Sequence, residues 1–406
     1  VGDHLPTGLI AGMASRCLRQ VASERMAIAA IALAAATAAV TPSLLVAQNR
    51  PGQPAAGQQG RPPGAGGARS GVPGAPRPIP NGVLGGVPYT AQDSLIKSVV
   101  ERLDFDSYKS IIAGLAAFGD REQGTERNAQ AVDWIEAQLQ SWGYKTERLK
   151  YDYVPRGGGP AEPREQVYAT KVGSKTPGEM YIISGHMDGR GGGQAVNDDA
   201  SGTAIVMEIA RVLSQPGMES DRSIRFALWN NEETGLNGAT AYVEQRAPLQ
   251  GIEEPRGSGN YPEPKWLGVI QHDMMMWDHG NPVNYTQVLD ADVDVEFQLN
   301  SKMHAESAQL ALEIINSNRK FATDYPAALG NAMSNTDSAP FQDYVAAVSM
   351  RENRRLYETG RGANPHWHQA SDVLSTYTDA DYRLAFNAMQ STLGALVKLA
   401  GVQAPR

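Results

Sequence analysis

Four short apolar runs rich in β-forming residues, at 180–184, 224–229, 267–271 and 345–350, are separated by stretches whose apolar residues recur at helical spacing. The helical patterns are Ile205, Ile209, Val212 and Leu213, then Ala239, Tyr242 and Val243, then Leu310, Leu312, Ile314 and Ile315. Upstream, residues 123–142 carry Ala131, Ile135, Leu139 and Trp142 on one helical face, stopped by Gly143, and a strand-like stretch follows over 144–154. A last helix is expected over about 379–399. Such alternation predicts an α/β fold: a single three-layer domain with a mostly parallel mixed sheet flanked by helices. In sheets of that kind, ligands bind beyond the carboxyl ends of the strands.

Residues with ligand chemistry collect at those ends. The first run ends in SGHMDG, and side chains two apart on a strand share a face, so His186 and Asp188 can form an imidazole steadied by a carboxylate. NDDASG follows, with Asn197, Asp198 and Asp199 just before a helix that starts near Ala200; in isolation such acids serve as helix caps. The run 224–229 leads into NNEETG, whose adjacent Glu232 and Glu233 diverge, so that one can hold a metal while the other faces substrate as a base. The run 267–271 leads into His272 and Asp273, and NPHWHQASD supplies His366, His368 and Asp372.

Thiolate chemistry is excluded, because the one Cys in 406 residues, Cys17, lies upstream of an apolar stretch that reads as an export signal. Imidazoles and carboxylates without thiolate suit zinc, cobalt or manganese at a catalytic site. Three carboxylates and two imidazoles exceed the needs of one tetrahedral zinc, and two metals sharing one Asp fit the count. Metals roughly 3.5–4 Å apart can hold a shared water and polarise a carbonyl.

Arg16, Arg19 and Arg25 precede an uncharged, Ala-rich run over 26–40, and small and apolar residues follow Pro42 as far as Ala47. This reads as a signal peptide over 1–47, hence a secreted or periplasmic protein with no stable membrane span after cleavage; a retained anchor is the alternative. Residues 48–88 hold nine Pro, eleven Gly, four Arg and no acid, as in a disordered linker. The folded domain is therefore expected over 89–406. Residues 89–406 carry 29 basic against 42 acidic side chains, which argues against a nucleic-acid partner.

Taken together, SGHMDG, AVNDDASG, ALWNNEETGLNGA, IQHDMM and HWHQASD resemble, in order, the co-catalytic dizinc aminopeptidases, family 28 of the metallopeptidases, typified by secreted bacterial leucyl-type enzymes. Residues 115–144 resemble the family's amino-terminal helices, so the likeness covers about 95–400. It implies His186 and Asp273 on the first zinc, Asp198 bridging, Glu233 and His368 on the second, and Glu232 as general base. Asp188 and Asp372 would support these ligands without touching metal. It further implies a cis peptide after Asp198 and, as substrate, a peptide with a free amino terminus, hydrolysed by a water shared between two Zn2+ ions. The gap from His368 to Asp372 matches the family, which favours His368 over His366.

Two positions depart from the pattern. Trp367 stands where relatives carry a Tyr as oxyanion donor, leaving that role unassigned, and Thr336-Asp337-Ser338-Ala339-Pro340-Phe341 stands where they carry Ser-Asp-His-x-Pro-Phe. His272, His279 and His304 read as surface or packing residues, and Met274, Met275 and Met276 as core or pocket lining. Residues 248–265 read as an insertion that borders the pocket or forms a surface loop. The rival functions are a glutaminyl cyclase-like or carboxypeptidase-type enzyme on the same scaffold, and a non-catalytic binding ectodomain. Nothing in the sequence fixes the oligomeric state.

Overall fold

A computed structural model describes residues 83–84, 87–277, 293–330, 335–352 and 364–405. The expected signal peptide, nearly all of the expected linker, and His279 lie outside the described residues. At the end of the linker stretch, Val83–Leu84 (β1) pairs antiparallel with Val87–Pro88 (β2), a pairing of apolar residues on either side of a Gly-Gly sequence.

Three helices open the domain, each begun by a side chain that accepts a backbone N–H of the first turn. They are Ala91–Val100 (α1) under Thr90, Phe105–Ala116 (α2) under Asp104 and Glu126–Ser141 (α3) under Thr125. Next come Thr146–Tyr153 (β3), Glu162–Lys171 (β4) and Thr176–His186 (β5). Ser201–Leu213 (α4), Glu219–Ser220 (β6), Arg222–Trp229 (β7), Asn237–Arg246 (α5) and Lys265–His272 (β8) follow. The remainder comprises Val293–Glu296 (β9), His304–Phe321 (α6), Ala327–Leu329 (β10), Ala347–Glu352 (β11), Asp379–Ala400 (α7) and Val402–Gln403 (β12).

One sheet of eight strands has the order β10, β9, β11, β8, β5, β7, β4, β3. The central strands β11, β8, β5 and β7 are mutually parallel, and β10 is parallel to β9; β9 with β11, β7 with β4, and β4 with β3 are antiparallel. This is the mixed sheet that the alternation predicts. The central strands read as continuous apolar runs because both their faces are covered. Ile183, Phe226, Ile270 and Val348 pack into the larger core with α1, α2, α4, α6 and α7, while Ile182, Ala227, Val269 and Ala347 face the second core with Tyr242 of α5 and Phe341. Period-two alternation thus divides each strand between two cores, giving three layers. Among the described residues, no helix is long and apolar enough to cross a membrane.

Register brings the chemistry together. His186 pairs with Trp229 across β5 and β7, Ser184 pairs with Gln271 across β5 and β8, and Met350 pairs with His272 across β8 and β11. The carboxyl ends of β5, β7, β8 and β11 therefore lie at one level, on one edge of the sheet.

Candidate active site

Two groups of side chains converge there and share Asp198. His186, Asp198 and Asp273 form one, and Asp198, Glu233 and His368 the other; within each, one potential ligand atom per residue lies within 4.8 Å of the others. His186 Nε2 is 3.4 Å from Asp198 Oδ1 and 3.8 Å from Asp273 Oδ1. His368 Nε2 is 3.1 Å from Asp198 Oδ2 and 2.8 Å from Glu233 Oε2. Glu232 belongs to neither group but lines the same cavity, of about 360 Å³, with Asp198, Glu233, Asp273, Met274, Arg351, Trp367 and His368.

The loop after β5 holds this arrangement in place. His186 Nδ1 lies 3.0 Å from the carbonyl of Asp188, a contact that requires Nδ1 to carry the proton and turns the lone pair of Nε2 toward the carboxylates. The sequence suggested a carboxylate in that supporting position. The Asp188 carboxylate is 3.6 Å from Nδ1, because β5 ends at His186 and the face rule stops there. Its nearer partners are backbone N–H groups of Glu232, at 3.1 Å, and Glu233, at 3.4 Å, so Asp188 anchors the loop that carries both glutamates.

Asn197, Asp199 and Ser201 fix the next segment. Asn197 Oδ1, Asp199 Oδ1 and Ser201 Oγ accept the backbone N–H groups of Met276, Met274 and Met275 at 2.8, 3.2 and 3.0 Å. Asp199 also accepts Gly202 N–H in the first turn of α4, so the capping role falls to Asp199 while Asp198 turns into the cavity. The Asp198–Asp199 peptide is cis. Asp372 accepts the backbone N–H groups of Asn197 and Asp198 and the hydroxyl of Tyr377, and so supports Asp198 rather than the imidazole of His368.

His368 has a φ of 55°, and its backbone rests on Gly191, where a Cβ would lie 2.5 Å from the carbonyl carbon of His368. His366 contacts Ser371 Oγ and is in neither group. His272 is buried between the Ser184 carbonyl and Thr392 Oγ1, and His304 meets the Ser301 carbonyl. Residues 248–265 supply none of the described residues around this cavity. Gly259, Asn260 and Tyr261 border a different one, and Glu263 is buried against Arg225 and Tyr242.

Two residues at the site, Arg351 and Arg121, carry no local signal in the sequence, and a third, Asp337, shows there only within the segment that departs from the family pattern. Arg351, from the apolar strand β11, places Nη2 2.5 Å from Asp273 Oδ2. Arg121 is fully buried and donates to the carbonyls of Met187, Gln194 and Ala195, clamping the chain on the way to Asp198. Asp337 is fully buried, and neither carboxylate oxygen has a hydrogen-bond partner among the described residues. Its neighbour Ser338, where the family pattern has His, bonds Ser349 Oγ at 2.7 Å.

Electrostatics test whether cations belong here. Burial, with the charges of Asp337, Asp273 and Glu233, pushes the Glu232 carboxyl well above its usual range, and burial with Asp198 raises Glu233 to about 8. Burial favours a neutral His368, but Asp198 and Glu233 outweigh it and raise the imidazole to about 9. Apart from the contact of Asp198 Oδ2 with His368, the buried His186 Nε2, Asp198 Oδ2 and Glu233 Oε1 make no hydrogen bond among the described residues. Crowded, desolvated carboxylates beside orphaned ligand atoms are unfavourable alone and fit divalent ions bound by oxygen and nitrogen.

Residues 166–392 match the model of Peptidase family M28. A probable zinc metalloprotease of Leptosphaeria maculans is 31% identical over 175 residues, covering 38% of this chain and 40% of that protein. The chain thus spans less than half the length of this curated relative. The Legionella pneumophila LapA aminopeptidase shares the fold with a TM-score of 0.56 at 16% identity, over 78% of this chain and 76% of that one. A Porphyromonas gingivalis glutaminyl cyclase does so with a TM-score of 0.55 at 16% identity, over 73% and 99%. With more than half of its length matched, in the same segments that carry the converging side chains, the chain belongs to peptidase family M28.

Proposed function

We propose that this chain is a metal-dependent aminopeptidase holding two zinc ions, one by His186, Asp198 and Asp273 and the other by Asp198, Glu233 and His368. The observation that carries this reading is the pair of ligand groups sharing one carboxylate, with a further glutamate left over beside them. Zinc bound there supplies Lewis acidity, lowering the pKa of water and polarising a carbonyl. Glu232 takes the proton of the attacking water and passes it to the leaving amine. Its neighbour Asp188 fixes both glutamates by their backbone, so one faces substrate and the other the cluster. The excess of carboxylate around the cavity favours the ammonium group of a free amino terminus.

A glutaminyl cyclase-like reaction would need one zinc. The second complete ligand group is what favours two ions and hydrolysis. Export from the cytoplasm is part of the same proposal and rests on the basic, then apolar, sequence before residue 48.

The test is zinc content per chain, together with hydrolysis of aminoacyl nitroanilides with free and blocked amino groups, before and after chelation. Two zincs per chain and chelator-sensitive cleavage of the free substrates alone are expected. Equal cleavage of blocked substrates would remove the aminopeptidase reading, and activity surviving full metal removal would remove the metal.

A further inference from the structure

The cations around the cavity are not equivalent. Arg351 is engaged by Asp273, and His368 stands against Asp198 and Glu233. Arg156, just past the end of β3, also lines the cavity, yet its guanidinium has no hydrogen-bond or ion-pair partner among the described residues. Arg156 is exposed, and its side chain reaches over the site. A Cβ at Gly235 would lie 2.9 Å from Arg156 Nη2, so the absence of a side chain there leaves room for the guanidinium over the loop bearing Glu232 and Glu233. Gly235 has a φ of 134°, a conformation that also favours glycine.

We propose that Arg156 is a specificity residue that receives a carboxylate of the peptide substrate. This inference rests on the aminopeptidase reading of the same site. Guanidinium is a planar two-pronged donor whose natural partner is a carboxylate, and an unpaired one beside an acidic cavity gives an otherwise cation-seeking site one place for negative charge. The cavity, at about 360 Å³, is near the small end of ligand pockets. Few residues fit between the reacting bond and Arg156, so the carboxylate is either the carboxyl terminus of a very short peptide or an acidic side chain beside the cleaved bond.

The experiment compares zinc-loaded wild type, Arg156→Gln and Arg156→Lys on Ala-Ala, Ala-Ala amide, Ala-Glu amide and alanyl nitroanilide. Binding of the same four compounds to zinc-loaded Glu232→Gln, with and without Arg156→Gln, is measured by calorimetry. Wild type is expected to prefer a carboxylate-bearing compound over Ala-Ala amide by about 10- to 100-fold in kcat/KM, mostly through KM. Arg156→Gln should bring that ratio close to one, and Arg156→Lys should keep part of it. Preference for Ala-Ala assigns the terminal carboxylate, and preference for Ala-Glu amide assigns the side chain. Cleavage of all four without preference overturns the role of Arg156 and leaves the peptidase reading standing. Cleavage of none overturns the peptidase reading, and calorimetry then decides Arg156: carboxylate-selective binding lost with Arg156→Gln supports it, and unselective binding overturns it.

Discussion

Arg351 Nη2 lies 2.5 Å from Asp273 Oδ2, and both side chains are almost fully buried at the carboxyl ends of neighbouring parallel strands. Burial alone would raise the Asp273 carboxyl, but Arg351 outweighs it and, with His186, holds the group down at about 2. Replacing the cation strands a buried charge, a change that costs about 3–5 kcal/mol in other proteins. Arg351→Met should therefore lose about that much stability in metal-free protein, read by urea unfolding with chelator present. Zinc should recover part of the loss by meeting Asp273 itself. A metal-free variant as stable as wild type would show that the pair contributes nothing.

His272 gives the fold a pH dependence of its own. Burial lowers its pKa to about 4 against an ordinary 6.5, and its neutral ring is used at both nitrogens, by the Ser184 carbonyl and Thr392 Oγ1. The unfolded chain thus takes up a proton that the folded chain refuses, so stability is complete above about pH 6.5 and falls as pH drops toward 4. The full difference is about 3 kcal/mol. His272→Gln should flatten the slope of unfolding free energy between pH 7 and 5 by roughly 0.7 proton on average, compared with wild type under the same chelating conditions.

The parts of the site that could be read directly from sequence were those whose chemistry is local. His186 closes β5, the two glutamates and Asp273 come within a few residues of the ends of β7 and β8, and the NDD segment lies just before α4, so polar clusters and element ends appear together in a few residues. Arg351 sits inside the apolar run of β11, and nothing near it in sequence shows the acid it meets; that contact depends on the register of β11 with β8. Arg121 is equally hidden, because its acceptors are backbone carbonyls up to 74 residues away. Strands β9 and β10, of four and three residues, are too short for a periodic signal, and the first half of β4 is polar. The sequence places Asp188 near the site but gives no sign of its main partners, the backbone of Glu232 and Glu233, because the alternation of side chains ends with the strand.

Glu232→Gln separates base from ligand. The substitution keeps size and removes the proton acceptor, while His186, Asp198, Asp273, Glu233 and His368, the members of the two proposed metal-holding groups, stay intact. Zinc content should remain at the wild-type level, and kcat on alanyl nitroanilide should fall roughly 100- to 10,000-fold, the range that general bases contribute. If zinc is lost instead, Glu232 is a ligand and the roles of the adjacent glutamates are exchanged.

Gly191→Ala tests whether the two ligand groups are separable. The added methyl would stand 2.5 Å from the carbonyl carbon of His368 and 2.7 Å from its oxygen, contacts with backbone that a side-chain rotation cannot relieve, and at a φ of 99° that only glycine adopts readily. The turn carrying His368 must move, and with it one ligand of the group formed with Asp198 and Glu233. His186 and Asp273 hang from β5 and β8 and do not depend on that turn. Zinc titration should therefore show one tight ion in place of two, with turnover reduced in step with the lost site. If both ions bind as in wild type, Gly191 does not position His368. If both are lost together, the ions bind as one cooperative cluster in which Asp198 cannot serve either metal alone.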